Sequence, residues 1–166
     1  TFQTWYKVLS HHKIKADANL KFNGQDYYFE FVNGSRVDLK EMKFYPSDPL
    51  YERFGSLEYT SGWIEEAGEV DARGAEMISS RTGRWKNDDY GLIGKTLLTC
   101  NPKKNFLYYD YYRPFHDSKL PANKAFIQAF VDDNDKGESG YRHKLEEMSG
   151  VQKQRLLYGN WEYDDD

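Results

Sequence analysis

The feature that most limits what this chain can fold into is a pair of short apolar runs built the same way. Tyr59-Thr60-Ser61-Gly62-Trp63-Ile64 ends in Glu65-Glu66, and Thr96-Leu97-Leu98-Thr99-Cys100 ends in Asn101-Pro102. Runs of aromatic, aliphatic and β-branched residues this short read as buried strands, and polar residues or an X-Pro step stop them. Between them, Asp71 can cap a helix running through about Ser80, because its carboxylate can accept an unpaired N–H of the first turn. Strand, helix and strand over about 35 residues make one βαβ step, the unit from which parallel sheets are built.

The flanking sequence extends this pattern. Phe2 to Leu9 carries apolar residues at 2, 5, 6, 8 and 9, which suits an amphipathic helix. Leu20–Phe22 and Tyr27–Val32, followed by Asn23-Gly24 and Asn33-Gly34, predict strands joined by tight Asn-Gly turns, with Arg36–Met42 continuing the meander. Leu50–Phe54 suits a short helical turn, Arg81–Gly94 a polar loop, and Phe106–Tyr112 a helix. Ala125–Val131 (AFIQAFV) predicts a third strong strand, and Gly140–Met148 and Val151–Tyr158 two closing helices divided by Gly150. The expectation is one α/β layered domain with a largely parallel central sheet flanked by helices. A start at Thr1, straight into helical material, and an end at Asp164-Asp165-Asp166 suggest a piece of a longer protein, incomplete at its front.

Composition narrows the function classes. Charged residues are 30% of the chain, aromatics 17% and hydrophobic residues 39%, with 14 tyrosines. That is too aromatic for a disordered chain and too broken by charge for a membrane one. No apolar run approaches the ~20 residues of a membrane span. A single cysteine, Cys100, rules out an internal disulfide framework and suits a reducing compartment. A net charge of -4 gives no global attraction to nucleic acid, so any DNA contact needs a local patch or other parts.

Several constellations could carry chemistry. At the carboxyl end of a buried strand, where open α/β sheets place their ligands, Glu65 can reach a Mg²⁺ shell while Glu66 faces a water as general base. The same pair also reads as the start of a solvated loop. The Thr99 hydroxyl or Asn101 amide could sense a γ-phosphate, or the run could simply end in an Asn-Pro turn. Gly91-Leu92-Ile93-Gly94-Lys95-Thr96 imitates a phosphate loop but fails twice. Asp89 stands where the first glycine belongs, and strand material follows where a helix is needed. Arg81 and Arg84 could contact phosphates or act across a subunit boundary, although arginines in polar loops are commonly solvated. The four histidines are scattered without metal-ligand spacing, and no Gly-x-Ser-x-Gly occurs. Tyr108-Tyr109-Asp110-Tyr111-Tyr112 offers either stacking faces for bases or core packing.

In order and spacing, these pieces resemble the large terminase subunits of tailed phages, especially those of PBSX-like prophages. The resemblance rests on Phe29–Ser35, Arg53–Thr60, Gly62–Val70, Arg81–Arg84, Thr99–Pro102, Phe106–Tyr109, Tyr141–Leu145 and Leu157–Trp161. It implies a partial P-loop NTPase domain of the RecA/ASCE kind, binding ATP and Mg²⁺ and driving viral DNA into a procapsid. By the same resemblance Glu65 is the Walker B acid holding Mg²⁺, Glu66 the catalytic glutamate, and Thr99, Cys100 and Asn101 the coupling motif. Gly159-Asn160-Trp161 is similar to the boundary with a nuclease domain. The resemblance also implies double-stranded DNA, a portal protein and a terminase small subunit as partners, possible self-association on the portal, no membrane, and work at procapsids in the host cytoplasm. Residues 1–166 then form an incomplete ATPase domain, with the Walker A region upstream and the nuclease downstream both outside it, so this piece alone is expected to hydrolyse no ATP. Two other readings fit the residues: a non-catalytic phage module binding DNA or portal, and a helicase of similar core.

Overall fold

A computed structural model describes residues 11–13, 18–133 and 139–163. The expected helix over Phe2–Leu9 lies outside them. The chain divides into two compact units, Thr1–Lys43 and Phe44–Asp166.

The first unit is an antiparallel three-stranded meander in the order β1 (Leu20–Asn23), β2 (Tyr28–Phe31), β3 (Arg36–Asp38). Leu20 pairs with Phe31, Phe22 with Phe29, and Phe29 with Val37. Leu20 and Phe29 are buried, with Phe22, Phe31, Val37 and Leu39 packed against them. The two predicted turns are built differently from each other. Asn23 makes an Asx turn, its side-chain oxygen accepting from the N–H of Gln25 (2.9 Å) and Asp26 (3.0 Å), so the β1–β2 connection is longer than a two-residue Asn-Gly turn. In the β2–β3 connection, Gly34 takes φ 81°, its N–H donates to Phe31 O (2.9 Å), and the Phe31 N–H donates to Ser35 O (2.8 Å). This is a type I turn closed by a glycine bulge, the common three-residue hairpin.

The second unit contains the βαβ step. β4 (Gly62–Ile64) and β5 (Thr96–Leu98) pair in parallel, Gly62 with Thr96, Trp63 with Leu97 and Ile64 with Leu98. The connecting helix α1 (Ala72–Arg81) buries Gly74, Ala75 and Ile78. Asp71 caps it as predicted, accepting from the Arg73 N–H at 2.9 Å. Arg73 also closes a salt bridge to the same carboxylate at 2.8 Å, which holds the Asp71 carboxyl at about 2. The expected polar loop after α1 contains a single helical turn, α2 (Asn87–Tyr90). Its anchor is Asn87, buried, whose side-chain NH₂ donates to Thr60 O and Leu92 O, both at 3.2 Å.

Beyond β5 the chain is helical from Phe106, passes through a π-helical turn at Tyr108–Tyr112, and continues as α3 (Arg113–His116). Pro114 accounts for the irregularity, because it has no N–H to give to the carbonyl of Asp110 one turn back. Lys124 Nζ serves that carbonyl instead, at 3.5 Å. Two helices close the chain, α4 (Ser139–Glu147) and α5 (Gly150–Leu156).

One expectation is corrected: Ala125–Val131 forms no strand. Burial does alternate along it, Phe126 and Gln128 being half-buried while Ala125 and Ile127 are exposed. The partner is a row of side chains rather than a strand edge. The Phe126 ring meets Tyr112, Phe115 and Trp161 at 5.4–5.8 Å, and Gln128 Nε2 donates to Gly159 O at 2.8 Å.

Candidate functional site

The parallel pairing of β4 and β5 brings their carboxyl ends to one edge. Backbone hydrogen bonds continue across it beyond the strands. The Thr99 N–H donates to Ile64 O at 3.0 Å, and the Ala67 N–H donates to Thr99 O at 2.8 Å. Glu65, Glu66, Thr99 and Cys100 therefore belong to one small region, with Asn101 next in the chain. Glu65, Glu66 and Asn101 are exposed, and Thr99 and Cys100 are half-buried.

Glu66 sits where the strand turns. It takes a left-handed conformation, φ 52° and ψ 43°, and precedes the 3-10 turn Ala67–Glu69. That region is costly for a residue with a Cβ, so the surrounding bonds must hold it. The Glu69 N–H on Glu66 O (2.9 Å) and the Ala67 N–H on Thr99 O supply them. Glu66 also acts on Cys100, whose thiol is pushed up to about 11, first by burial and then by the Glu66 carboxylate. Neither Glu65 nor Glu66 makes an ion pair among the described residues.

The Thr99 hydroxyl is engaged. Trp63 Nε1 donates to it at 3.1 Å, and the hydroxyl points to Ile64 O at 3.5 Å. Trp63 is thus a cross-brace between the two strand ends that sequence reasoning missed; the available signal was its outward position on the strand, one residue before buried Ile64. Further out, Asn105 Nδ2 donates to Gly68 O at 3.0 Å and Lys103 pairs with Glu69 at 2.9 Å, fastening the two post-strand loops together. These two residues also line an open cleft with Phe44, Gly68, Val70, Asp71 and Phe106.

Arg81 and Arg84 are not brought to this edge. They lie at the amino end of β4, where the Tyr59 N–H donates to Arg81 O (2.9 Å) and the Arg84 N–H to Tyr59 O (3.1 Å). Their guanidinium groups are used locally, Arg81 on Gly55 O at 2.6 Å and Arg84 on Ser80 O at 2.8 Å. The Gly94-Lys95-Thr96 imitation is at that same far end. The Gly62 N–H donates to Lys95 O at 2.9 Å, and β5 begins at Thr96. Its glycine has a packing reason: a Cβ on Gly94 would come within 2.5 Å of Gly83 Cα.

Among the described residues no three of His, Cys, Asp or Glu converge as a metal cage. Mg²⁺ in phosphoryl-transfer sites does not use such a cage; it takes one or two protein carboxylates and fills its octahedron with water and phosphate oxygens. Two exposed carboxylates at a strand's carboxyl end match that need. No helix among the described residues is long and apolar enough to cross a membrane.

No protein-family model matches the sequence, and no curated protein matches it either. Solved structures do. The large terminase of a thermophilic bacteriophage superposes with a TM-score of 0.71 at 15% identity, covering 97% of this chain and 37% of that one. A crystal form of the same protein with ADP gives 0.68 at 13% identity, covering 96% and 36%. Another with ATP-gamma-S gives 0.59 at 15% identity, covering 86% and 32%. This chain spans a little over a third of the first structure's length. At such identities the likeness speaks for architecture alone, and the chain has the α/β fold of part of a phage large terminase.

Proposed function

We propose that this chain is the Walker B to coupling-motif part of the ATP-hydrolysing motor of a viral terminase large subunit, of the kind found in PBSX-like prophages. The observation that carries the reading is the shared edge: Glu65-Glu66 and Thr99–Asn101 are joined by Thr99 N–H to Ile64 O and Ala67 N–H to Thr99 O. The likeness to a large terminase solved with ADP and with ATP-gamma-S supports it.

In this reading the nucleotide is ATP, and bound Mg²⁺ supplies neutralisation of phosphate charge. Glu65 is the residue that would hold the metal, and Glu66 accepts the proton of a water or orients it. The two acids take separate tasks in this reading, with Glu66 set at the left-handed turn that ends the strand. In this reading Thr99, cross-braced by Trp63, and Asn101, which makes no hydrogen bond among the described residues, would register the phosphate. Arg81 and Arg84 brace the joint at the other end of β4. The Gly-rich loop that cradles phosphates, Gly-x-x-x-x-Gly-Lys-Ser/Thr, does not occur in the 166 residues. It would come from upstream sequence, and the nuclease from downstream. Double-stranded DNA, a portal protein and a terminase small subunit are the partners this function calls for, at procapsids in the host cytoplasm.

The test is Glu66→Gln in the full-length protein. ATP turnover is expected to fall about 10²- to 10⁴-fold, the usual contribution of a positioned general base, with nucleotide binding retained. Unchanged hydrolysis would defeat the proposal and favour a non-catalytic binding module.

A further inference from the structure

Arg155 of α5 reaches back to the chain just beyond the candidate site. Its Nε donates to the carbonyl of Pro102, the residue after Asn101. The residue before Arg155, Gln154, is tied to the segment that follows the helix. The Asn160 N–H donates to Gln154 O at 2.9 Å, and Asn160 Nδ2 to Gln154 Oε1 at 3.1 Å. Trp161 is buried, stacked on Tyr112 with centroids 5.1 Å apart and planes 14° from parallel. The Tyr108 hydroxyl meets both Glu162 carboxylate oxygens, at 3.0 and 2.8 Å. Tyr108 and Tyr112 are the two ends of the π-helical turn.

A continuous line of hydrogen bonds and packed rings therefore runs from Pro102, through the adjacent residues Arg155 and Gln154 in the last turn of α5, to Gly159–Glu162. We propose that Arg155 is a positioning residue for the motor, holding the Asn101–Pro102 segment beyond β5 against α5 so that a nucleotide-dependent shift there is delivered to the Gly159–Glu162 segment. The chemistry of the residue suits the task. A guanidinium is always charged and its planar donors are fixed relative to one another, so it holds a carbonyl in one geometry where a lysine would swivel. Energetic coupling between separated sites travels through such contiguous packed and hydrogen-bonded elements. The inference rests on the function proposed above.

The test compares full-length protein with Arg155→Ala and Tyr108→Phe variants, supplied with linear double-stranded DNA, procapsids and Mg-ATP. The measured quantity is ATP consumed per length of DNA moved, which does not depend on how much of the sample is folded. It is expected to rise about 2- to 30-fold for Arg155→Ala, the range over which single residues modulate coupling, and less for Tyr108→Phe. Hydrogen exchange at the amides of residues 159–162 is the second readout. ATP-gamma-S is expected to alter it in the unsubstituted protein and to leave it unaltered in Arg155→Ala. A wild-type ratio and exchange response overturn the inference, and so does a proportional fall of hydrolysis and transport, which is what a merely structural role would give. Should Arg155→Ala fail to fold, Arg155→Lys and Tyr108→Phe decide by the same ratio. An unsubstituted protein that neither binds nor hydrolyses ATP refutes the motor reading itself and takes this inference with it.

Discussion

Adding one methyl group at Gly94 tests whether the Gly-Lys-Thr imitation is packing or phosphate chemistry. The Cβ of Gly94→Ala would lie 2.5 Å from Gly83 Cα, 2.6 Å from Gly83 N and 3.2 Å from Thr82 C. Carbon atoms pack at about 3.5–4.0 Å, so roughly 1 Å of movement is required. All three neighbours are backbone, and none can swing aside like a side chain. Both segments are also tied down, through the Gly62 N–H on Lys95 O (2.9 Å) and the Gly83 N–H on Thr60 O (3.3 Å). Overpacking of this kind costs about 1–3 kcal/mol, which for a unit of this size lowers Tm by about 4–15 °C. The internal control is Gly140→Ala, the same chemical change in a helix where an added Cβ meets nothing within 4 Å. It is expected to be neutral or to stabilise by up to about 0.5 kcal/mol. Thermal unfolding of the two variants, followed by circular dichroism without nucleotide, separates them. If Gly94→Ala melts at the unsubstituted temperature and instead loses nucleotide binding, the packing argument is wrong and the imitation is a phosphate site.

Two further outcomes follow from the cap and the thiol. Asp71→Ala is expected to destabilise by about 1 kcal/mol, the usual cost of losing an N-cap; the Arg73 pair adds little because it is partly solvated. Since folding lowers this carboxyl from 3.8 to about 2, its stabilisation is full above roughly pH 5 and is lost as pH falls through 2. The gap between the urea midpoints of the two proteins should shrink steadily between about pH 5 and pH 2, and a gap of undiminished size at pH 2 contradicts the assignment. Cys100, with its thiol raised to about 11 by burial and by Glu66, should react slowly with alkylating reagents at pH 8. Glu66→Gln removes the repelling charge and should quicken the reaction; an unchanged or slower rate means that Glu66 does not face the thiol.

The parts of this molecule legible in the sequence are those governed by neighbours along the chain. Asp71 announced the start of α1 because capping needs only a side chain and the next turn's N–H groups. The endings of β4 and β5 were marked by acids and by Asn-Pro, and the mismatch of Asp89 and the strand after Lys95 were enough to reject a phosphate loop. The strand expected over Ala125–Val131 was wrong, although Phe126 within it does pack. What the residues could not say is who meets them. A strand exists only if another edge accepts its N–H groups, and here Phe126 and Gln128 found an aromatic cluster and Gly159 O instead. The Ala67 bond to Thr99 that holds the turn at Glu66, the Trp63 bridge to Thr99, the closeness of Gly83 and Gly94, and the reach of Arg155 to Pro102 are all contacts between residues apart in sequence. Local propensity carries no information about such pairs, because their energy is realised only when the chain closes on itself. Sequence thus determined which strand ends carried acids, hydroxyls and amides; tertiary structure decided that they share one edge and that Arg81 and Arg84 lie at the other.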